Sequence, residues 1–195
     1  PGLEMVWSNL GLVHIYTGDG KGKTTAALGM ALRALEHGFS VFIIQFMKGG
    51  KHIGELKLSE QFPKFTLKQY GKDCPYSEKM KIGATQCGNC RGCFFTKNES
   101  KEKAEEAFKE AYATAKSGKY DMVILDEINV VLDKKLVSID DIVKLINEKN
   151  PNTELILTGR RAPKELYKHA DYVSEVNEVK HPMHRGIMGR RGIEY

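Results

Sequence analysis

The stretch Thr17-Gly18-Asp19-Gly20-Lys21-Gly22-Lys23-Thr24-Thr25 is rich in glycine and contains the sequence Gly-Lys-Thr. The apolar run Leu12-Val13-His14-Ile15-Tyr16 precedes it, and the residues behind it have the apolar spacing of one helix face: Leu28, Ala31, Leu32 and Leu35. A strand, a glycine-rich turn and a helix in this order are the setting of a phosphate-binding loop. Glycines let successive backbone N–H groups point into one concavity, and the helix N-terminus adds positive potential. The stretch therefore predicts a loop that binds phosphate through residues 17–25.

Two side chains of this loop have predicted roles. Lys23 would reach phosphate oxygens, and the hydroxyl of Thr24 would hold a Mg²⁺ ion. The match to the pattern Gly-x-x-x-x-Gly-Lys-Ser/Thr is incomplete, because Thr17 stands where the pattern has glycine. The alternative interpretation is a glycine-rich turn with an incidental Gly-Lys-Thr. The strand before the loop and the amphipathic helix after it favour phosphate binding.

Apolar runs and helical periodicity alternate along the rest of the chain. Further strands are predicted at residues 41–46, 65–70, 122–125, 155–157 and 172–176. Helices are predicted along an apolar stripe that ends near Gly118, from Ser138 to Asn150-Pro151, and after Pro163. This alternation implies a mostly parallel sheet with right-handed crossovers. We therefore expect an α/β, P-loop NTPase-like three-layer fold with about six strands, in a single domain over residues 1–195.

Composition limits the classes of function. The chain has 195 residues, 41% of them hydrophobic, and a formal net charge of +5 from 30 basic and 25 acidic residues. This mild excess favours anionic ligands such as nucleotides, but it forms no basic stripe interleaved with aromatic residues, so nucleic acid is not an expected partner. No apolar run approaches the roughly 20 residues of a membrane span, and no secretory signal precedes the first strand. We therefore expect no membrane association and a cytoplasmic location.

Two more polar clusters follow predicted strands, Asp126-Glu127 and Thr158-Gly159-Arg160-Arg161. Ligands gather at the carboxyl ends of parallel strands, so both clusters are expected to meet the glycine-rich loop. Asp126 or Glu127 could hold Mg²⁺ beside Thr24. The two arginines could bind phosphate oxygens or a substrate carboxylate, or they could form surface salt bridges.

All four cysteines lie in residues 71–98, which show no clear periodicity and are predicted to form a loop insertion. They are Cys74, Cys87, Cys90 and Cys93, and the last three form C-x-x-C-x-x-C. Three interpretations stay open: a four-thiolate Zn²⁺ site, a 4Fe–4S cluster, or reduced thiols without a metal.

Several motifs together resemble the P-loop ATP:corrinoid (cob(I)alamin) adenosyltransferase family. The glycine-rich loop, extended through Ala26-Ala27, is similar to the variant phosphate loop of that family and includes a threonine at position 17. The other matching segments are Gln45-Phe46-Met47-Lys48-Gly49, Leu125-Asp126-Glu127-Ile128-Asn129, Leu157-Thr158-Gly159-Arg160, Val179-Lys180-His181-Pro182 and Arg191-Gly192-Ile193-Glu194-Tyr195. The resemblance covers residues 11–70 and 118–195.

The resemblance implies transfer of the 5′-deoxyadenosyl group from ATP to a corrinoid in adenosylcobalamin biosynthesis. A Co(I) corrinoid attacks C5′ of ATP and triphosphate leaves, so no protein general base is required. Lys23, Lys21 and the loop amides would stabilise the leaving group, and Thr24 with Glu127 or Asp126 would hold Mg²⁺. Nucleotide-binding positions would be residues 17–25 and Arg160. The resemblance also implies a homodimer, and the chemistry calls for an electron donor that reduces Co(II).

The chain departs from the family in its middle. Residues 71–95 replace the short aromatic segment that grips the corrinoid in family members, so Tyr76, Phe94 and Phe95 are the candidates for corrinoid contact. An N-terminal segment covers the corrinoid in family members, and only about ten residues precede the first strand here. His181 is expected to shape the C-terminal tail.

Two other classes of function compete with adenosyl transfer. One is a generic P-loop ATPase or small-molecule kinase with a metal-binding cysteine loop. The other is a metal- or nucleic-acid-binding module that works through the cysteine loop. The threonine at position 17 and the C-terminal motif favour the adenosyltransferase.

Overall fold

A computed structural model describes residues 10–50, 54–85 and 97–194. Within these ranges the chain forms one six-stranded sheet, and all its strand pairs are parallel. The strands are β1 Val13–Thr17, β2 Val41–Phe46, β3 Phe65–Tyr70, β4 Met122–Asp126, β5 Glu154–Thr158 and β6 Tyr172–Glu175. Their order is β3-β2-β4-β5-β1-β6. The predicted α/β fold of the P-loop NTPase type, with about six mostly parallel strands, is confirmed.

The central strands are continuous apolar runs because helices cover both faces of the sheet. Every residue of β2, β4 and β5 is buried, whereas every residue of the edge strand β6 is exposed. Successive residues of a strand point to opposite faces. Phe42 and Ile44 therefore join one core cluster, and Val41 and Ile43 join the other.

The helices are α1 Lys23–Glu36, α2 Leu58–Gln61, α3 Ser77–Lys81, α4 Lys97–Ser117, α5 Ile128–Asp133 and α6 Ile139–Glu148. Short 3₁₀ helices lie at Gly54–Lys57, Lys164–His169 and Pro182–Arg185. Buried residues of α1 belong to one core cluster, and those of α4, α5 and α6 belong to the other. The structure thus has three layers: α1 on one face, the sheet, and α4, α5 and α6 on the other face.

The buried face of α1 differs from the predicted apolar stripe. Leu32 is 37% exposed, while the buried residues are Lys23, Ala27, Ala31, Ala34 and Leu35. Alanines at the contact are small, so the helix packs close to the sheet and the larger Leu32 falls outside the interface.

The segment predicted as a loop insertion, residues 71–98, contains α3 and the start of α4. Helix α5, which begins directly after Glu127, and the short helices at residues 54–61 are further elements that the periodicity did not indicate. They are one or two turns long, too short to show a repeat.

In the described part of the chain, no helix combines the length and the apolar character that crossing a membrane requires.

Candidate active site

The glycine-rich loop connects β1 to α1 at the carboxyl edge of the sheet. Helix α1 begins at Lys23, and Gly22 before it has a φ of 120°, which favours glycine. Thr17 is buried, and its hydroxyl oxygen accepts a 3.0 Å hydrogen bond from the backbone N–H of Ala162. The threonine therefore ties the loop to the segment after β5, a contact that a glycine at this position could not make.

Gly18 and Gly20 pack against the chain that follows β6. A Cβ atom on Gly18 would lie 2.4 Å from the carbonyl oxygen of Val176, and one on Gly20 would lie 2.7 Å from the carbonyl carbon of Asn177. In contrast, a Cβ on Gly22 would meet nothing within 4 Å. Two of the three glycines are thus required by packing against neighbouring backbone, in addition to any contact with phosphate.

Lys23 turns back into its own loop. Its ammonium donates a 2.6 Å hydrogen bond to the carbonyl oxygen of Gly20, and the residue is 8% exposed. Burial lowers the pKa of Lys23, and the nearby charge of Arg160 lowers it further. The lysine therefore lies in the loop with its charge only partly compensated, as an anion-binding site requires.

Asp126, at the end of β4, is the centre of a buried hydrogen-bond network. Its Oδ1 accepts from the hydroxyls of Thr24 at 2.8 Å and Thr158 at 2.6 Å. Its Oδ2 accepts from Lys48 Nζ at 2.6 Å and Gln45 Nε2 at 3.1 Å. Burial alone would raise the pKa of Asp126, but Lys48 and the two hydroxyls outweigh it and hold the pKa below its usual range.

Glu127 lies beside this network in a different environment. It has a φ of 67°, and its backbone N–H donates a 3.2 Å hydrogen bond to the hydroxyl oxygen of Thr158. Burial raises the pKa of its carboxyl, and the negative charge of Asp126 adds to this effect. The adjacent carboxylates therefore differ, since Lys48 and hydrogen bonds hold the pKa of Asp126 low, whereas burial keeps the pKa of Glu127 raised although Lys48 and Lys23 are near.

These groups surround a cavity of about 440 Å³ at the carboxyl edge of the sheet. Its lining includes the predicted residues Gly20, Lys21, Gly22, Lys23, Thr24, Thr25, Glu127 and Arg160. Asp126 lies buried next to Thr24, Asp19 is exposed, and Thr17 and Gly18 contact neighbouring backbone. The structure thus brings together the glycine-rich loop, the end of β4 and the end of β5.

The oxygen donors at this end of the cavity fit a hard divalent cation. Mg²⁺ in proteins is held by one or two carboxylates together with substrate phosphates and waters, and Thr24 and Glu127 face one cavity with Asp126 adjacent. Both oxygens of Asp126 already accept two hydrogen bonds each. Glu127 is therefore the carboxylate better placed for direct coordination. Among the described residues, no cluster of three or more His, Cys, Asp or Glu forms a metal site made by protein alone.

The two arginines of the Thr158–Arg161 cluster separate. Arg160 lines the cavity, whereas Arg161 Nη1 lies 3.5 Å from Asp133 Oδ2 at the surface.

The buried side chain of Asn129 joins the base of the glycine-rich loop to the turn after β5, because its Nδ2 donates to the carbonyl oxygens of Tyr16 and Gly159, both at 3.1 Å.

Comparison with known proteins identifies the family of the chain. The family described as ATP:corrinoid adenosyltransferase BtuR/CobO/CobP matches residues 9–195. The chain belongs to the ATP:corrinoid adenosyltransferase family. A corrinoid adenosyltransferase of Sinorhizobium sp is 33% identical over 188 residues, which cover 95% of this chain and 80% of the relative. Those of Escherichia coli K12 and Salmonella typhimurium are 32% and 31% identical, over 95% of this chain and 86% of each relative.

In this adenosyltransferase the C-terminal tail reaches the glycine-rich loop, a contact that the sequence did not indicate. Lys21 Nζ lies 2.9 Å from Glu194 Oε1, and Arg190 Nη2 lies 3.0 Å from the same oxygen. These contacts lower the pKa of Glu194 to about 2, with Arg190 as the largest cause and Lys21 next. His181 shapes the tail as expected, since its Nδ1 accepts a 3.2 Å hydrogen bond from the N–H of Met183.

Lys48 was missed as a site residue, although it lies in a segment that resembles the family. The available signal was position, because Gln45 on β2 pairs in register with Asp126 on β4, and Lys48 follows at the same edge of the sheet.

Of the cysteines, Cys74 is buried and free, and Cys87, Cys90 and Cys93 lie outside the described residues. Among the candidates for corrinoid contact, Tyr76 is 43% exposed, and Phe94 and Phe95 lie outside the described residues.

Proposed function

We propose that the protein transfers the 5′-deoxyadenosyl group of ATP to a Co(I) corrinoid and releases triphosphate, as a step of adenosylcobalamin synthesis. The observation that carries the proposal is the convergence of the glycine-rich loop, Glu127 and Arg160 on one cavity, in a chain of the adenosyltransferase family. The cobalt electron pair forms the Co–C5′ bond while the C5′–O bond breaks, and that bond's electrons leave with the triphosphate. No proton moves, so the protein supplies charge and position and no general base.

The positive groups of the site suit a triphosphate leaving group. Lys23, Lys21 and Arg160 line the cavity together with the backbone of the loop. Lys23 is already dehydrated by burial, so an approaching phosphate oxygen replaces its hydrogen bond to Gly20 at little desolvation cost. Lys21 is half exposed, and it would exchange Glu194 for phosphate. Both lysines would stabilise the charge that develops as C5′–O breaks.

Thr24 and Glu127 would hold a Mg²⁺ ion at the same end of the cavity. Such an ion neutralises phosphate charge in the leaving group. Asp126 would act from behind, because it accepts the hydrogen bond of the Thr24 hydroxyl and so leaves the oxygen lone pairs for other partners.

The test is anaerobic incubation with ATP, Mg²⁺ and chemically reduced cobalamin. A photolabile alkyl-cobalt absorbance together with triphosphate is expected, whereas ADP and phosphate without an alkyl-cobalt product would contradict the proposal and support an ATPase or kinase. Lys23→Ala should lower turnover by more than about tenfold, the scale of a lost phosphate-positioning charge. Lys119→Ala is the control, since Lys119 is exposed and precedes β4 at the opposite edge of the sheet.

For the four cysteines, a Zn²⁺ site, a 4Fe–4S cluster and reduced thiols without a metal stay the three alternatives. A 4Fe–4S cluster would supply a redox group in a protein whose substrate cobalt must be reduced, and a Zn²⁺ site would be structural. Metal analysis and the visible spectrum of anaerobically purified protein distinguish them. One equivalent of zinc without iron would contradict the redox cluster. A single domain, a homodimer, an electron donor for Co(II) and a cytoplasmic location stay predictions.

A further inference from the structure

Lys48 places a positive charge against Thr24, which the proposed function assigns to the divalent cation, and against Asp126, which orients the Thr24 hydroxyl. Its Nζ donates to Asp126 Oδ2 at 2.6 Å and to the Thr24 hydroxyl oxygen at 3.3 Å. The side chain of Lys48 is 27% exposed and that of Asp126 is 1% exposed. The ion pair is therefore largely withdrawn from water, where an unpaired carboxylate would be strongly destabilising.

The ammonium of Lys48 stays charged in this position. Its Nζ lies 2.6 Å from Asp126 Oδ2, the distance of an ion pair, and this carboxylate also accepts hydrogen bonds from Gln45 and Thr24. The positive charge that Asp126 requires is thus supplied by the protein itself.

The geometry leaves no unoccupied position on Asp126 for a second cation. Each carboxylate oxygen accepts two hydrogen bonds, and the second donor to Oδ2 is Gln45 at 3.1 Å. A divalent ion that approaches the oxygens of Thr24 and Asp126 therefore meets the ammonium of Lys48 in its way. A divalent ion and the Lys48 ammonium beside the same carboxylate repel each other, so binding of one disfavours the other.

We propose that Lys48 is the resident cation of this site and that a divalent ion binds by exchange with its ammonium. This inference rests on the proposed function, because it takes Thr24 and the adjacent carboxylates as the metal-binding end of the cavity. Lys48 is then a positioning residue, since it contacts both Asp126 and the Thr24 hydroxyl oxygen before the metal arrives.

The cavity offers the displaced ammonium a second partner. Glu55 and Lys48 line the same cavity, and Glu55 contributes to the electrostatic stabilisation of the lysine. Gln45 donates to Asp126 and also to Glu55 Oε1 at 3.0 Å, so the two carboxylates lie on either side of one amide. Lys48 can therefore move from Asp126 toward Glu55 or toward a bound phosphate without leaving the site.

Exchange with a divalent cation and a purely structural role for Lys48 predict different changes in cation affinity when the lysine is replaced. Removing the charge of Lys48 removes the competitor and leaves Asp126 uncompensated, so the affinity for a divalent cation should increase. A lysine that only supports the fold would leave that affinity unchanged or weaken it when replaced.

The test titrates Mn²⁺ into the full chain without nucleotide and follows free Mn²⁺ by electron paramagnetic resonance. Lys48→Met is expected to bind Mn²⁺ about tenfold more tightly than the wild type, as removal of one competing charge should produce. Lys48→Arg, which keeps the charge, and Lys119→Met, at the opposite edge of the sheet, should bind as the wild type does. Mn²⁺ should also raise the melting temperature of Lys48→Met more than that of the wild type.

Lys48→Gln, which keeps a hydrogen-bond donor without the charge, replaces Lys48→Met if that variant does not fold. Affinity equal to or weaker than that of the wild type in the neutral variants would overturn the inference, as would the absence of Mn²⁺ binding to every protein. Adenosyl transfer by the wild type is measured on the same preparation with ATP and Mg²⁺. If the wild type transfers the adenosyl group, the proposed function stands whatever the Mn²⁺ result. If it does not, the proposed function is contradicted independently of Mn²⁺ binding.

Discussion

The backbone N–H of Gly20 donates a 2.7 Å hydrogen bond to the carbonyl oxygen of Val176. This bond holds the glycine-rich loop against the chain that leaves β6, and it lies beside the two places where a Cβ atom would collide with backbone. The loop is therefore shaped from outside by a segment more than a hundred residues away, as well as by its own glycines. Substitutions on either side of this contact should therefore alter the shape of the glycine-rich loop and weaken nucleotide binding.

Gly20→Ala should destabilise the protein and weaken ATP binding. The new methyl group would lie 2.7–2.8 Å from backbone atoms of Asn177 and Val176, which cannot rotate away. Overpacking of this kind costs about 1–3 kcal/mol in the free energy of unfolding, measured by urea denaturation. Gly29→Ala is the matched control, because Gly29 lies in α1 with nothing within 4 Å of its added Cβ. That control should be more stable by about 0.5–1 kcal/mol, and equal effects in the two variants would contradict the packing contact.

Thr158→Val should lower the free energy of unfolding by about 1–3 kcal/mol, the cost of unsatisfied buried polar groups. Thr158 is fully buried, and its hydroxyl donates to Asp126 and accepts from the N–H of Glu127. Valine has the same shape and leaves both groups short of a partner. Thr158→Ser keeps the hydroxyl and should cost about 1 kcal/mol or less. If valine is tolerated as well as serine, the hydroxyl does not support the network.

Glu127→Gln should stabilise the protein at neutral pH while it lowers adenosyl transfer. The folded pKa of Glu127 is raised, chiefly by burial, so the contribution of this group is fully present below its ordinary pKa of about 4.3 and is lost as pH rises. Glutamine carries no charge and avoids that loss. The stability gain should therefore be present at pH 7 and shrink as pH falls through about 4. Glu165→Gln, at an exposed glutamate, should show no such dependence.

The neighbouring Asp126 should show the opposite pH dependence. Burial opposes ionisation of Asp126, but Lys48 and the hydroxyls of Thr24 and Thr158 lower its folded pKa. Its contribution to stability is therefore present above its ordinary pKa of about 3.9 and is lost as pH falls. Asp126→Asn should destabilise the protein at pH 7 by more than it does in acid, as urea denaturation at two pH values will measure. A destabilisation independent of pH would mean that the ion pair with Lys48 contributes nothing.

Glu194→Gln should loosen the C-terminal tail without a large change in global stability. Glu194 pairs with Lys21 and Arg190 at the surface, where ion pairs contribute little to unfolding free energy. Tryptic cleavage after Arg190 and Arg191 should become faster, and mild acid should not have the same effect, because Glu194 stays ionised until about pH 2. Glu36→Gln, at an exposed glutamate that ends α1, should be cleaved as the wild type is.

The sequence by itself determined the fold and about half of the lining of the cavity. The six apolar runs, the helical periodicity and the turn Gly-Lys-Thr are local patterns, and local patterns are sufficient to order strands and helices along a chain. Because parallel strands end at one edge, the meeting of the glycine-rich loop with Glu127 and Arg160 followed from the predicted parallel sheet. The motifs that resemble the family were local as well, and the comparisons confirmed the family.

Only the tertiary structure decided which contacts the same residues make. Thr17 binds the backbone of Ala162, Gly20 binds Val176, and Lys21 pairs with Glu194, all across more than a hundred residues of sequence. The ion pair between Lys48 and Asp126 arises because β2 and β4 are neighbours in the sheet although β3 and α4 lie between them in the chain. No periodicity carries such information, since side-chain distances between separate strands are set by how the layers pack.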